Sequence, residues 1–243
     1  MMLDRREFFT AGRDICDSIK IEASTLDPQL DRRIARVVPE VIKYLVDNYY
    51  PFIPLQTLER VKTLQDRFFV TDVNTLSRLR MVWGKSTEDK LAEGKLDGAY
   101  LFLGDIMALK DPESLEYVWD KMTEKVKQSW IKAYRTPKQA KKEVGKMRFA
   151  YTFIHELVHA FHPKDTPVSV GFIEGGTSYY TREIAKKLGL VNLDDLGEWE
   201  ADVYGEFIKQ HGEQIHKVFF GSESDLEKIK IIDQACTKYA FGI

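Results

Sequence analysis

Three residues in one short stretch have the types and spacing for metal-assisted hydrolysis. They are His155, Glu156 and His159, in the run AYTFIHELVHAFH from Ala150 to His162. On an α-helix, residues four apart share a face with Cβ atoms roughly 5 to 6 Å apart, so the two histidines can aim their imidazoles at one ion. Glu156 follows His155 but lies about 100° further round the helix, which turns it to the open side of that ion rather than onto it. Two neutral nitrogens and a third ligand would hold a zinc ion. A water in the fourth position would have its pKa lowered to about 7, and the carboxylate would remove its proton.

The elements around this stretch are those such a site needs. Thr136-Pro137-Lys138-Gln139 reads as a helix start, with Thr136 as cap, Pro137 in the first helical position and Gln139 placed to close a capping box. Val144, Met147, Tyr151, Ile154, Leu157, Val158 and Phe161 then recur at helical spacing, and Pro163 stops the helix. The pattern predicts a long buried helix over 137–162 with the histidines in its last turns. The best third ligand is Glu174, fifteen residues after His159, in the first turns of a helix predicted over 172–188. The turn residues Pro163, Pro167 and Gly171 let the chain reverse between the two. Gly175 and Gly176 break a local rule, since each glycine inside a helix costs about 1 kcal/mol relative to alanine. Two such breaks beside a candidate ligand predict a close approach of backbone that only small residues permit.

His155-Glu156-Leu157-Val158-His159 followed by Glu174-Gly175-Gly176-Thr177-Ser178-Tyr179 resembles the gluzincin zinc metallopeptidases, particularly the aminopeptidase N and peptidase MA-like groups. Ala201 to Gly212 is similar to the helix that follows in those proteins, and the likeness spans roughly residues 144–221. It implies His155, His159 and Glu174 as ligands of one Zn2+ per chain and Glu156 as general base. It also implies a mainly helical α+β, zincin-like fold, with a small antiparallel sheet above the active-site helix. Among Tyr179, Tyr180 and Tyr204, position along the likeness favours Tyr204 as the phenol that stabilises the oxyanion. The chain departs from the aminopeptidases in a shorter linker before Glu174, in Thr177 where alanine is usual, and in lacking an upstream G-x-M-E-N-type signature. The expected activity is therefore endopeptidase rather than aminopeptidase. Glu198-Trp199-Glu200-Ala201-Asp202 is similar to the segment through which other gluzincin branches complete their site, so Glu200 or Glu198 is the rival third ligand. Glu174 is preferred for its longer match and simpler loop, which leaves Asp202 or Glu198 to orient a ligand histidine or to form an acidic helix start.

The rest of the 243-residue chain supports an ordinary globular protein: 44% of residues are hydrophobic and the formal charge is −2. That balance suggests neither nucleic acid nor an anionic membrane as partner and leaves the oligomeric state open, while the gluzincin resemblance implies a peptide or protein substrate. No run approaches 18 apolar residues. Arg5-Arg6 near the start lacks the apolar stretch of an export signal, because Arg13, Asp14, Asp17, Lys20 and Glu22 interrupt it. Cys16 and Cys236, the only two cysteines, suit free thiols in a reducing compartment, and the expected localisation is cytoplasmic.

An amino-terminal helical portion is expected over 1–66. It includes a helix starting at Asp27-Pro28 with a kink or restart at Pro39, and a short helix from Leu55 to Arg67. A catalytic domain is expected over 67–243, continuous with it or separate. Its sheet, within 67–106, is read from Arg67–Val73, Leu79–Trp83 and Ala99–Leu103; the zincin resemblance implies that an edge strand takes extended substrate, with Tyr100–Leu103 the candidate and an ordinary core strand the alternative. Glu113 to Tyr134 reads as one amphipathic helix, and further helices are expected over 198–240. His162 reads as a helix-terminal histidine with substrate contact as the alternative, and His211 and His216 as surface residues. The reading of another class is a catalytically silent zincin-like protein that binds metal for a regulatory or interaction role; it would close the fourth coordination position with His162 or a carboxylate.

Overall fold

A computed structural model describes residues 28–62, 68–71, 97–101, 106–110, 114–163, 168–190 and 199–221. The expected strand at Leu79–Trp83, the helix after Ser224, both cysteines and the first 27 residues lie outside them. The described residues are mainly helical. The helices are α1 (Pro28–Tyr49), α2 (Leu55–Lys62), α3 (Val118–Lys121), α4 (Glu124–Tyr134), α5 (Pro137–His159), α6 (Val170–Lys187), α7 (Trp199–His211) and α8 (Glu213–Phe220). Short 310 turns occupy Tyr50–Phe52 and Ser114–Tyr117. Two compact units divide the chain, one within Met1–Arg33 and Asp66–Phe153, the other within Ile34–Gln65 and Ile154–Ile243. The division falls inside α1 and α5.

The first unit holds the sheet: β1 (Phe68–Thr71), β2 (Gly98–Leu101) and β3 (Ile106–Lys110), in the order β1-β3-β2. It is mixed, not antiparallel as expected. β1 runs parallel to β3, with Phe68 opposite Met107, and β2 runs antiparallel to β3, with Gly98 opposite Leu109. The central strand, IMALK, is built largely from residues without β preference, so its sequence does not announce it. Pairing on both edges and the full burial of Met107 and Leu109 make it a strand. Among the described strands β2, which includes Tyr100 and Leu101, lies at an edge.

The helix expected over Glu113–Tyr134 is broken at Met122–Thr123. Thr123 takes an extended conformation and its Oγ1 accepts from Val126 N–H at 3.4 Å, so a cap starts α4 where a continuous helix would need a hydrogen-bonded turn. α4 then ends at Arg135, whose φ of 69° is the one positive value of a non-glycine among the described residues. Thr136 caps α5 as expected: Gln139 N–H donates to Thr136 Oγ1 at 3.2 Å, and the Thr136 hydroxyl donates to the Gln139 side chain at 3.2 Å.

α1 continues through Pro39 as one helix, with no restart there; Pro39 is exposed while Val38, Val41 and Leu45 are buried. α6 and α7 pack against each other, and α8 closes an aromatic core of Tyr49, Phe172, Tyr180, Tyr204, Phe219 and Phe220. Gly221 ends α8 with φ 81°, in the left-handed region. A side chain there would also run into the ring of Pro163.

Candidate metal centre

Burial fixes the helix that carries the two histidines. Ile154, Leu157, Val158 and Phe161 are fully buried, so the opposite relation of His155 and His159 to this stripe is set by the helical period alone. After His159 the chain tightens into i→i−3 bonds at Ala160, Phe161 and His162 before Pro163. Arg60, from α2, donates its guanidinium to the carbonyls of Ala160 and His162, satisfying acceptors that the helix end leaves open. α6 begins at Ser169, whose Oγ accepts from Phe172 N–H at 3.2 Å. That cap puts Glu174 in the helix's second turn.

Here the structure brings the three expected ligands together. His155 Nε2 lies 3.4 Å and His159 Nε2 3.5 Å from Glu174 Oε2, and one ligand atom from each of the three residues lies within 4.8 Å of the others. These separations are long for N–H···O bonds, whose usual length is about 2.9 to 3.0 Å. They suit a shared cation better. Ligand atoms about 2.0 to 2.2 Å from a tetrahedral ion stand roughly 3.4 Å from one another. Two imidazole nitrogens and one carboxylate oxygen, with an open side, are also the donor set that zinc takes in hydrolytic sites. The residues present therefore fit the ion.

The electrostatics agree. Nearly half of the Glu174 side chain is exposed, at 47%, yet its carboxyl end is crowded enough that desolvation pushes its pKa up. His159 and His155 more than offset that push, and the carboxyl is held well below its usual range. Behind the centre, Thr177 Oγ1 lies 3.2 Å from His159 Nδ1, the nitrogen turned away from Glu174. Glu156 is buried, with 7% exposure, one residue beyond His155 on the same helix.

The rival carboxylates are placed elsewhere. Asp202 is exposed and pairs with Arg182 at 2.5 Å, so it does not orient a ligand histidine. Glu200, in the first turn of α7, is not in the three-residue group, and Glu198 lies outside the described residues. Tyr204, expected at the oxyanion, is a core residue instead. It is 1% exposed, its ring contacts Phe172, Tyr179, Tyr180 and Phe219, and a Cβ added to Gly176 would stand 2.9 Å from its Cζ. Burial in an aromatic cluster takes it out of reach of a substrate in this arrangement. The same Cβ would stand 2.5 Å from Phe219 Cε2, so the close approach predicted at the glycine pair is found at Gly176, while at Gly175 the nearest atom would be 3.4 Å away.

Two histidines differ from expectation. His162 sits in the turn that ends α5, as expected, but it is 1% exposed and its Nδ1–H donates to the Phe219 carbonyl at 2.7 Å, a burial and a partner that were not expected. His216 is half-buried rather than on the surface: its Nδ1 lies 2.6 Å from the Tyr180 hydroxyl and its ring stacks on Phe52. His211 is exposed, as expected. Thr177 is the site residue that sequence reasoning missed as a participant; its one signal was its departure from alanine within the gluzincin likeness.

No family model, curated protein or solved structure matches the chain. No helix among the described residues is long and apolar enough to cross a membrane.

Proposed function

We propose that the chain is a zinc-dependent metallopeptidase of gluzincin type, with a zincin-like catalytic half, acting as an endopeptidase on peptides or proteins. The observation that carries this reading is the convergence of His155, His159 and Glu174, with Glu174 Oε2 3.4 and 3.5 Å from the two Nε2 atoms and all three ligand atoms within 4.8 Å of one another. His155 and His159 would hold the ion through Nε2 and Glu174 through Oε2. Bound zinc supplies a lowered pKa for water and a polarised carbonyl. Glu156 takes the proton from the attacking water and delivers it to the leaving amine, a transfer worth typically 100- to 10,000-fold in rate. His162, the histidine best placed in sequence to close the fourth coordination position, is instead engaged with Phe219. His162 is also not among the three clustered ligands, which argues against it as the residue that closes the site. The cytoplasm is the compartment this reading takes, from two cysteines as free thiols.

The test begins with the metal content of the purified full-length protein by elemental mass spectrometry, after zinc exposure and removal of loosely held ions. About one retained zinc per chain is expected. A panel of fluorogenic peptides is then cleaved by the wild type, while Glu156→Gln retains the metal and loses hydrolysis by two or more orders of magnitude. A folded preparation that retains no metal sinks the reading, and wild-type turnover in Glu156→Gln removes that residue as the base.

A further inference from the structure

Thr177 is fully buried on α6, three residues after Glu174 and so on the same helical face. Its hydroxyl, 3.2 Å from His159 Nδ1, cannot turn to solvent, and a buried hydroxyl needs a partner. Its β-branched side chain has few rotamers in a helix. The imidazole it meets is also buried. A hydroxyl can accept from an imidazole N–H, and a ring that carries its proton on Nδ1 presents a bare lone pair at Nε2. In this chain Nε2 is the atom facing Glu174 Oε2.

We propose that Thr177 is a positioning residue of the metal centre: it accepts the Nδ1 proton of His159 and so fixes the ring's orientation and tautomer with Nε2 toward the ion. The proposal rests on the metal-centre reading above. One face of α6 then supplies both a ligand and the support of a second ligand on α5. That helix is set closely in place, because Gly176, between the two, lies against Phe219 and Tyr204. Partners behind a ligand histidine are commonly carboxylates or carbonyls, and their loss lowers metal affinity roughly 10- to 100-fold. A neutral hydroxyl here orients the ring without adding charge behind it.

The experiment compares Thr177→Val, which keeps the shape and removes the hydroxyl, with Thr177→Ser, which keeps the hydroxyl. Zinc affinity of the full-length proteins is measured by competition with a chromophoric chelator, and the Co2+-substituted proteins are compared by visible absorption. Circular dichroism and thermal melts of the metal-free proteins check folding. Thr177→Val is expected to bind zinc about 10- to 100-fold more weakly and to change the Co2+ bands, with Thr177→Ser close to wild type. Equal affinity and spectra in wild type and Thr177→Val overturn the positioning role while leaving the metal centre standing. Equal weakening in both variants also overturns it, since packing and not the hydroxyl is then at work. A folded wild type that takes up neither ion removes the metal centre itself, and the role of Thr177 with it.

Discussion

His162 Nδ1 donates to the Phe219 carbonyl across 2.7 Å, tying the turn that ends α5 to the last turn of α8. Burial is the main reason the ring's pKa is pushed down, to about 4; the nearby His159 and Arg60 add to this and the Phe219 bond works against it. The unfolded chain takes up a proton on this ring below about 6.5, the folded chain only below about 4. Between those values the unfolded state binds more protons, so stability falls as pH drops through the window and is fully present above it. At about 1.4 kcal/mol per pH unit, the loss attributable to His162 approaches about 3 kcal/mol. Urea unfolding with a chelator present at pH 7, 5 and 4 should show that much extra loss in the wild type over His162→Gln. His216, whose pKa burial also lowers, contributes a slope of the same sign to both proteins. Parallel pH profiles would remove His162 from this role.

Gly176 should not tolerate a methyl group. Alanine would gain about 1 kcal/mol of helix propensity, but its Cβ would lie 2.5 Å from Phe219 Cε2 and 2.9 Å from Tyr204 Cζ, inside a packed aromatic core. Overpacking of this kind costs typically 1 to 3 kcal/mol, so Gly176→Ala is expected to be net destabilising. At Gly175 the nearest atom, the Glu200 carbonyl oxygen, is 3.4 Å from the added Cβ, and Gly175→Ala should be tolerated much better. Chemical denaturation of the two variants decides it. A Gly176→Ala protein as stable as wild type would mean the Phe219 ring yields freely.

What could be read from the chain beforehand was what short-range pattern encodes. Thr136 and Gln139 cap α5, and the apolar stripe from Val144 to Phe161 buries it. The two glycines after Glu174 announced a close contact, though not with which rings. The misses share a different cause: each is settled by a partner distant in sequence. His162 is buried by a carbonyl 57 residues on, and His216 by a tyrosine 36 residues back. β3 is a strand because β1 and β2 flank it, and Met-Ala-Leu-Lys carries no sign of that. Thr177 looked like a departure from a family pattern. Only the position of α6 against His159 gives its hydroxyl a purpose.

Asp97 anchors the first unit. Buried beside β2, it accepts from the Tyr117 hydroxyl at 2.8 Å and from Arg148 Nε at 2.8 Å, lies 3.5 Å from the buried Lys110 ammonium, and accepts Lys110 N–H through its own carbonyl at 2.9 Å. Burial, and then this carboxylate, push the Tyr117 phenol pKa up, so it stays a donor at all ordinary pH. Removing one member of a buried pair costs about 3 to 5 kcal/mol. Asp97→Ala is expected to lose that much in guanidinium denaturation. Tyr117→Phe, which removes a single hydrogen bond, should lose about 1 to 3 kcal/mol. A loss under 1 kcal/mol in Asp97→Ala would show that the network is dispensable.

The identity of the third ligand can be decided by metal retention alone, without a substrate. Glu174 Oε2 lies 3.4 and 3.5 Å from the two histidine nitrogens, whereas Asp202 is occupied by Arg182 at the surface and Glu200 is outside the cluster. Glu174→Ala should therefore weaken zinc binding by more than the roughly 10- to 100-fold that losing a residue behind a ligand costs. Glu200→Ala and Asp202→Ala should leave it unchanged. Glu174→Asp is the sharper probe. It keeps the charge but shortens the reach by a methylene, so affinity should still fall if the carboxylate must touch the ion, and should hold if it acts only by attraction from a distance. Zinc retained at wild-type affinity in Glu174→Ala, and lost in Glu200→Ala, would move the site's third corner to α7.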